Sequence, residues 1–282
     1  MKHPAKWRET VGISSLSFNN IKIDKILGYP HAGNDVFHAK VLYHGGKVNA
    51  FIKVERQYGA DVAKEVETIS ALPFSYVPKV LDYSLTEPKY IVTKEAAGEK
   101  LSKIAIANPN ADVKKHLSKQ AALLSEFHNL QIKCAPVKDR GFFHIPTQEF
   151  CYKYDLDDVY LFLMSSKPEN YTKCFVHGDF HYANILWEKG DISCVLDYEL
   201  SGFGIREFDM AWSVFLRPGQ KYLMSMDEID AFLQGYKNSF SLSSFYYYYI
   251  QIAAHFYPLG DKEYRGNVKR LIGEAISIFS TL

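Results

Sequence analysis

The stretch Phe175 to Glu199, FVHGDFHYANILWEKGDISCVLDYE, constrains this chain more than any other. Two short apolar runs, Phe175-Val176 and Ile192 to Leu196, each lead into an acid. Asp179 follows the first run and Asp197 follows the second, with Asn184 between them. A polar acceptor at the end of a strand is held rigidly and is open to a cleft, which suits catalysis better than a flexible loop does. A strand-turn-strand hairpin carrying solvated acids is the plainer reading, but it does not account for the His-Gly-Asp opening.

An Asp, an Asn and a second Asp at these spacings resemble the catalytic loop and metal-binding segment of kinase-like phosphotransferases. The match is to HGDxxxxN rather than the HRDxxxxN of protein kinases, and to DYE rather than DFG. Both departures are similar to the aminoglycoside phosphotransferase and choline kinase superfamily. The resemblance runs from about Ile21 to the end and is most specific from Phe175 to Trp212. It implies an α+β, bilobal protein-kinase-like fold, with a small antiparallel-sheet amino-terminal lobe and a larger, mainly helical carboxy-terminal lobe. The expected boundaries are a nucleotide-binding lobe at 1–93, a connector at 94–99 and a helical catalytic and acceptor-binding lobe at 100–282. In such a fold Asp179 accepts or orients the proton of an attacking hydroxyl, and Asn184 and Asp197 are hard oxygen ligands to Mg²⁺. The resemblance implies ATP or GTP as the donor.

The amino-terminal third reads as a sheet. Ile21, Ile23 and Ile26 begin one strand, Val36 to Tyr43 form a second and Val48 to Val54 a third. His44-Gly45-Gly46-Lys47 makes the hairpin turn, since glycine accepts positive φ. Val80 to Ser84 and Lys89 to Thr93 complete five strands. The loop Gly28 to Asp35, containing Gly33 and Asn34, is either a cover over the nucleotide phosphates or an ordinary surface turn. Lys53 interrupts an apolar third strand, as a phosphate-binding lysine or as an edge lysine facing water. In the helix that follows, Asp61 can cap and Pro73 ends the helix. Val62, Val66, Ile69 and Leu72 form its apolar stripe, on which Glu65 falls, while Glu67 points the other way. A carboxylate on a buried face wants a cation, so Lys53 is expected to pair with Glu65. Lys94 to Glu99 resemble the superfamily's connector, which implies that the Lys94 carbonyl and the Ala96 N–H hold the adenine.

The remainder is helical. Pro109 precedes a helix from Asp112 to Leu130, with Asp112 as cap and Val113, Leu117, Leu124 and Phe127 on one face. His128 there is read as a packing residue. Tyr154 to Leu163 reads as a helix with an acidic first turn, which suits the helix dipole; the sharper alternative makes Asp155, Asp157 and Asp158 an acidic rim for a cationic acceptor. His177 is expected to brace the loop. His181, between Asp179 and Asn184, either touches substrate or braces the loop, and Glu199 is expected to face the acceptor. Asp209 is expected to open a helix and tie down the loop. Further helices are expected at Asp227 to Phe240, Ser243 to Tyr257 and Glu263 to Phe279. Consecutive tyrosines at Tyr246 to Tyr249 point all round a helix, so most of them pack and few reach an acceptor pocket.

Composition trims the alternatives. With 282 residues and formal net charge +1, a broad nucleic-acid footprint is not suggested. No apolar run approaches the ~20 residues that span a bilayer, and the opening MKHPAKWRETVG lacks the apolar core of a secretion signal. Cys134, Cys151, Cys174 and Cys194 have no CxxC spacing, which reads as reduced thiols in a cytoplasmic protein. A Cys174–Cys194 contact stays open. The expected partners are a nucleoside triphosphate and a small-molecule acceptor, handled by a monomer or weak dimer. The acceptor reading covers aminoglycoside-type antibiotics and, alternatively, choline, homoserine or a sugar. The end Ile-Phe-Ser-Thr-Leu departs from the acidic tail of the kanamycin-type enzymes. A non-catalytic nucleotide-binding protein is the reading from another class, and Lys53, Asp179, Asn184 and Asp197 speak against it. A protein acceptor is disfavoured because no APE-type segment follows DYE.

Overall fold

Alternation of apolar and polar side chains builds an antiparallel sheet from β1 (Ile21–Gly28), β2 (Asp35–Tyr43), β3 (Gly46–Val54), β4 (Val80–Ser84) and β5 (Tyr90–Lys94). The computed structural model describes residues 12–30, 34–56, 60–108 and 111–282. Gly33, Pro109 and the first eleven residues, on which some expectations rest, lie outside them. The chain divides into two compact units, residues up to Gly98 with Ser193–Leu200, and Glu99–Ile192 with Ser201–Leu282.

In the amino-terminal unit the strand order is β1-β2-β3-β5-β4. Phe37, Ala39, Val41, Ala50, Ile52 and Val92 face one side and form its core. The β2–β3 turn places His44 at φ 47° and Gly45 at φ 79°, the left-handed pair that matches the twist of the flanking strands. Lys53 lies between the buried Ile52 and Val54 and therefore faces the other side of the sheet. Helix α1 (Val62–Ala71) serves that face, and Asp61 caps it by accepting from the Lys64 N–H at 2.9 Å. Glu65 is buried on α1 while Glu67 is exposed.

The second unit holds β6 (Glu99–Lys100), α2 (Leu101–Ala107), α3 (Val113–His128), α4 (Gln148–Lys153) and α5 (Asp157–Ser165). It continues with β7 (Lys173–Val176) and β8 (Ile185–Glu188), and β9 (Asp191–Val195) leads the chain back to the first unit. After that come β10 (Gly202–Ile205), α6 (Arg206–Val214), α7 (Met226–Gly235), α8 (Leu242–Phe256) and α9 (Lys262–Phe279). β7 pairs antiparallel with β10, and β6 with β8. Side-chain caps at Asp112, Thr147, Ser241 and Asp261 satisfy first-turn N–H groups of α3, α4, α8 and α9.

Helices α2 and α4 were not expected, α6 opens at Arg206 rather than at Asp209, and two further helices differ from expectation in their bounds. α5 starts at Asp157 rather than Tyr154, because Tyr154 and Leu156 donate back to the Cys151 carbonyl and Asp155 sits at φ 53°. α7 stops at Gly235 rather than Phe240. A Cβ on Gly235 would lie 2.3 Å from the Ser118 carbonyl oxygen, so α3 and α7 touch backbone to backbone there. Tyr236 then turns extended, and its hydroxyl meets His128 Nδ1 at 2.6 Å. All four tyrosines from Tyr246 to Tyr249 are buried, at 1% to 7% exposure, so α8 is enclosed by packing on every side. Among the described residues no helix is long and apolar enough to cross a membrane, and no disulfide joins the cysteines.

Candidate active site

Two clusters of functional side chains emerge, one in each unit. In the first, the β3 ammonium of Lys53 is shared by three carboxylates: Glu65 at 2.9 Å, Asp197 at 2.8 Å and Glu199 at 2.9 Å. Burial pulls the lysine's pKa down, but Glu65, Asp197 and Glu199 outweigh it and hold the ammonium well above its ordinary value. Burial also pushes the Glu65 carboxyl up, against the pull of Lys53. Asn34 joins by donating from Nδ2 to Glu199 at 3.0 Å, while its Oδ1 accepts from the Arg56 N–H at 3.2 Å. Glu199, expected to face an acceptor, thus belongs to the lysine's cluster.

Asp197 adopts φ 67°, a left-handed backbone that a residue with a Cβ enters only at a cost, and such positions gather at functional sites. One carboxylate oxygen from each of Glu65, Asp197 and Glu199 lies within 4.8 Å of the other two. Three acids against one lysine leave an excess of negative charge on hard oxygens. That donor set fits Mg²⁺, which binds through few protein carboxylates plus water and phosphate oxygens.

In the second unit the loop after β7 carries Asp179, Asn184 and His181 together. Asn184 Nδ2 donates to the Asp179 carboxylate at 2.9 Å and to its carbonyl at 3.0 Å. That orientation leaves the Asn184 Oδ1 without a partner among the described residues. His181 Nε2 stands 3.3 Å from Asp179 Oδ1, which also accepts from Trp212 Nε1 at 2.9 Å. Burial alone raises the pKa of Asp179. His181 foremost, then Trp212 and the nearby Arg217, reverse that and bring it down to about 2. The carboxylate is therefore ionised at any ordinary pH.

The loop itself is pinned from behind. Asp209, near the start of α6, accepts from the N–H groups of His177 and Gly178 at 3.1 and 2.9 Å, and from His128 Nε2 at 3.2 Å. His177 Nδ1 accepts from the Asp179 N–H at 3.2 Å. Arg140 donates to the Gly178 carbonyl at 2.8 Å. His128, read as a packing residue, is in addition a link in this network. Asp155 and Asp158 lie exposed at the amino end of α5, and neither is among the partners of Asp179. In the connector, Lys94 closes β5 with its N–H on the Lys79 carbonyl at 2.8 Å, and Ala96 follows half-buried.

Sequence reasoning missed three of these groups, Trp212, Arg140 and Arg217. Trp212 as a donor to Asp179 had a signal: it lies three residues after Asp209 on one helix, so both face the same loop. Arg140 had none, being far from the loop in sequence and joined to it only by folding.

A model described as the phosphotransferase enzyme family matches residues 55–247. No curated protein matches the chain. Among solved structures, a thermostable mutant of aminoglycoside phosphotransferase APH(4)-Ia in ternary complex with AMP-PNP and hygromycin B aligns at TM-score 0.58, with 16% identity over 92% of this chain and 94% of that one. The streptomycin-ATP complex of APH(2")-IIa aligns at TM-score 0.52, with 15% identity over 82% and 83% of the two chains. A choline kinase from Cryptosporidium parvum Iowa II aligns at TM-score 0.55, with 12% identity over 92% and 88%. At such identities the likeness is one of fold, and the fold class is α+β and protein-kinase-like.

Proposed function

The chain belongs to the phosphotransferase enzyme family, and from that premise we propose that it moves the γ-phosphoryl group of ATP to a hydroxyl of a small molecule. The acceptor oxygen forms a bond to the γ-phosphorus, the bond to the bridging oxygen of ADP breaks, and the hydroxyl proton leaves. Asp179 orients that hydroxyl and takes up its proton late, because a carboxylate with a pKa of about 2 is a weak base. Asn184 and Trp212 fix the carboxylate's rotation, and positioning of this kind is a large part of phosphoryl-transfer catalysis.

Lys53 is assigned to the nucleotide phosphates, with Glu65 holding the ammonium in place. Asp197, through the carboxylate cluster of the first unit, and Asn184, through its amide oxygen in the second, are assigned as ligands to Mg²⁺. Bound Mg²⁺ neutralises charge on the transferred phosphoryl group. Asn34 steadies Glu199 beside the lysine. The Lys94 carbonyl and the Ala96 N–H are assigned to the adenine edge. Thiols without disulfides support a reducing, cytoplasmic setting.

The observation that carries this reading is the Lys53 ammonium held by Glu65, Asp197 and Glu199. It is tested by titrating ATP with and without Mg²⁺ into three proteins. Asp197→Ala is expected to weaken Mg²⁺-dependent nucleotide binding, and Asp179→Asn to keep binding while losing turnover. Equal Mg²⁺–ATP affinity in the wild type and Asp197→Ala contradicts the metal assignment.

A further inference from the structure

Behind the pinned loop the second unit forms a half-open cleft of about 490 Å³, within the range of small-molecule sites. Val176 on β7, Phe203 and Gly204 on β10, Phe208 of α6 and Tyr247 and Tyr248 of α8 line it. The close approach at Gly204 is part of the build: a Cβ there would lie 2.8 Å from Val176 and 3.2 Å from Val137. The lining includes Gly178 but neither Asp179 nor its carboxylate partners Asn184, His181 and Trp212. The cleft therefore shares no lining residue with the groups assigned to the transferred phosphoryl group, although Arg140 in its wall lies within electrostatic reach of Asp179.

Three cations and one carboxylate line it. Arg140, Lys167 and Lys173 line it, and none of the three makes an ion pair among the described residues. Arg140 spends one N–H on the Gly178 carbonyl and stacks 4.7 Å from the ring centres of Phe142 and Phe143. Burial lowers its pKa, and the Asp179 and Asp209 carboxylates within electrostatic reach offset only part of that. Lys173 lies 5.5 Å over the Tyr171 ring. The one carboxylate in the lining, Asp209, is already engaged by the His177 and Gly178 N–H groups and by His128. Tyr247, also in the lining, buries a hydroxyl that has no hydrogen-bond partner among the described residues. A buried donor left unpaired costs free energy until an acceptor reaches it.

We propose that this cavity is a second ligand site, which takes a small molecule with a flat apolar body and an anionic end. The rings of Phe143, Phe203 and Phe208 receive the body, and Arg140, Lys167 and Lys173 meet the anion. The assignment does not depend on the phosphoryl-transfer reading, since no residue given a role in transfer forms the ligand's contacts.

The test is calorimetric titration of the full chain with three probes that share one ring system: naphthalene-2-sulfonate, 2-naphthalenemethanol and 2-naphthylmethylamine. The sulfonate is expected to bind at one site. The neutral alcohol should bind at least tenfold more weakly, and the amine should give no heat. The double variant Lys167→Glu/Lys173→Glu, both at exposed side chains, should lose tenfold or more in sulfonate affinity with an unchanged far-ultraviolet spectrum. Asp179→Asn should bind the sulfonate at least as tightly as the wild type does, because it removes a negative charge within reach of Arg140. No saturable sulfonate binding, an amine that binds as tightly, or full affinity in the double variant overturns the proposal. Loss of binding in Asp179→Asn also overturns it, by placing the probe at the transfer residues, and leaves the phosphotransferase reading intact.

Discussion

At Asp179 burial and local donors act in opposite directions, and the donors win. Its pKa falls from 3.8 to about 2, so the native state binds fewer protons than the unfolded chain between those values. The resulting stability, roughly 2 kcal/mol, is fully present above about pH 4 and is lost as pH falls through 2. Asp179→Asn should lower kcat by about 10²–10⁴-fold while ATP affinity, read by calorimetry, stays within error. Trp212→Phe removes one donor from the carboxylate and costs about 1.5–3 kcal/mol of the charge-assisted hydrogen bond. With that donor gone the Asp179 pKa rises, so the acid limb of the kcat–pH profile should move to higher pH; an unmoved limb would mean that the indole does not tune the carboxylate. Lys53→Met strands the buried Glu65 carboxylate without a cation, and a broken buried pair costs about 3–5 kcal/mol. Urea melts should show the loss, and Lys53→Met/Glu65→Leu should recover much of it.

Among the elements, the α3–α7 contact is the most demanding. Gly235→Ala places a methyl carbon 2.3 Å from a carbonyl oxygen on the neighbouring helix. Neither backbone can yield without moving its helix, so the variant should lose at least about 1–3 kcal/mol in urea denaturation. Unchanged stability would mean that the two helices lie further apart. The strands were legible because alternation, a two-residue turn and the β-branched content of β2 and β3 all agree. Helix starts were legible where a capping acid precedes an apolar stripe, as at Asp61 and Asp112. Helix ends were less so. α7 ends where Tyr236 turns extended and its hydroxyl reaches His128, far away in sequence, and the Tyr154–Leu156 break comes with bonds back to Cys151, neither of which local periodicity reports.

For the whole molecule, the residue types at the site were written in the HGDFHYANIL and VLDYE strings, and the Lys53–Glu65 pair in a strand lysine followed by an acid on a buried stripe. What the sequence did not disclose is which groups set the behaviour of those residues. The shared grip of Asp197 and Glu199 on Lys53, the Trp212 donor and the Arg140 clamp all depend on tertiary approach. The cavity behind the loop is likewise a product of packing, its walls drawn from segments scattered between Pro136 and Gln251. The central claim, phosphoryl transfer to a small hydroxyl compound, is tested most directly by ³¹P magnetic resonance of ATP with the wild type, run against aminoglycosides, amino-alcohols and sugars. A phosphate-ester resonance growing in step with ADP for at least one acceptor, and absent with Asp179→Asn, is the result expected. ATP that stays intact with every acceptor, or an ester that forms equally in the variant, contradicts the account.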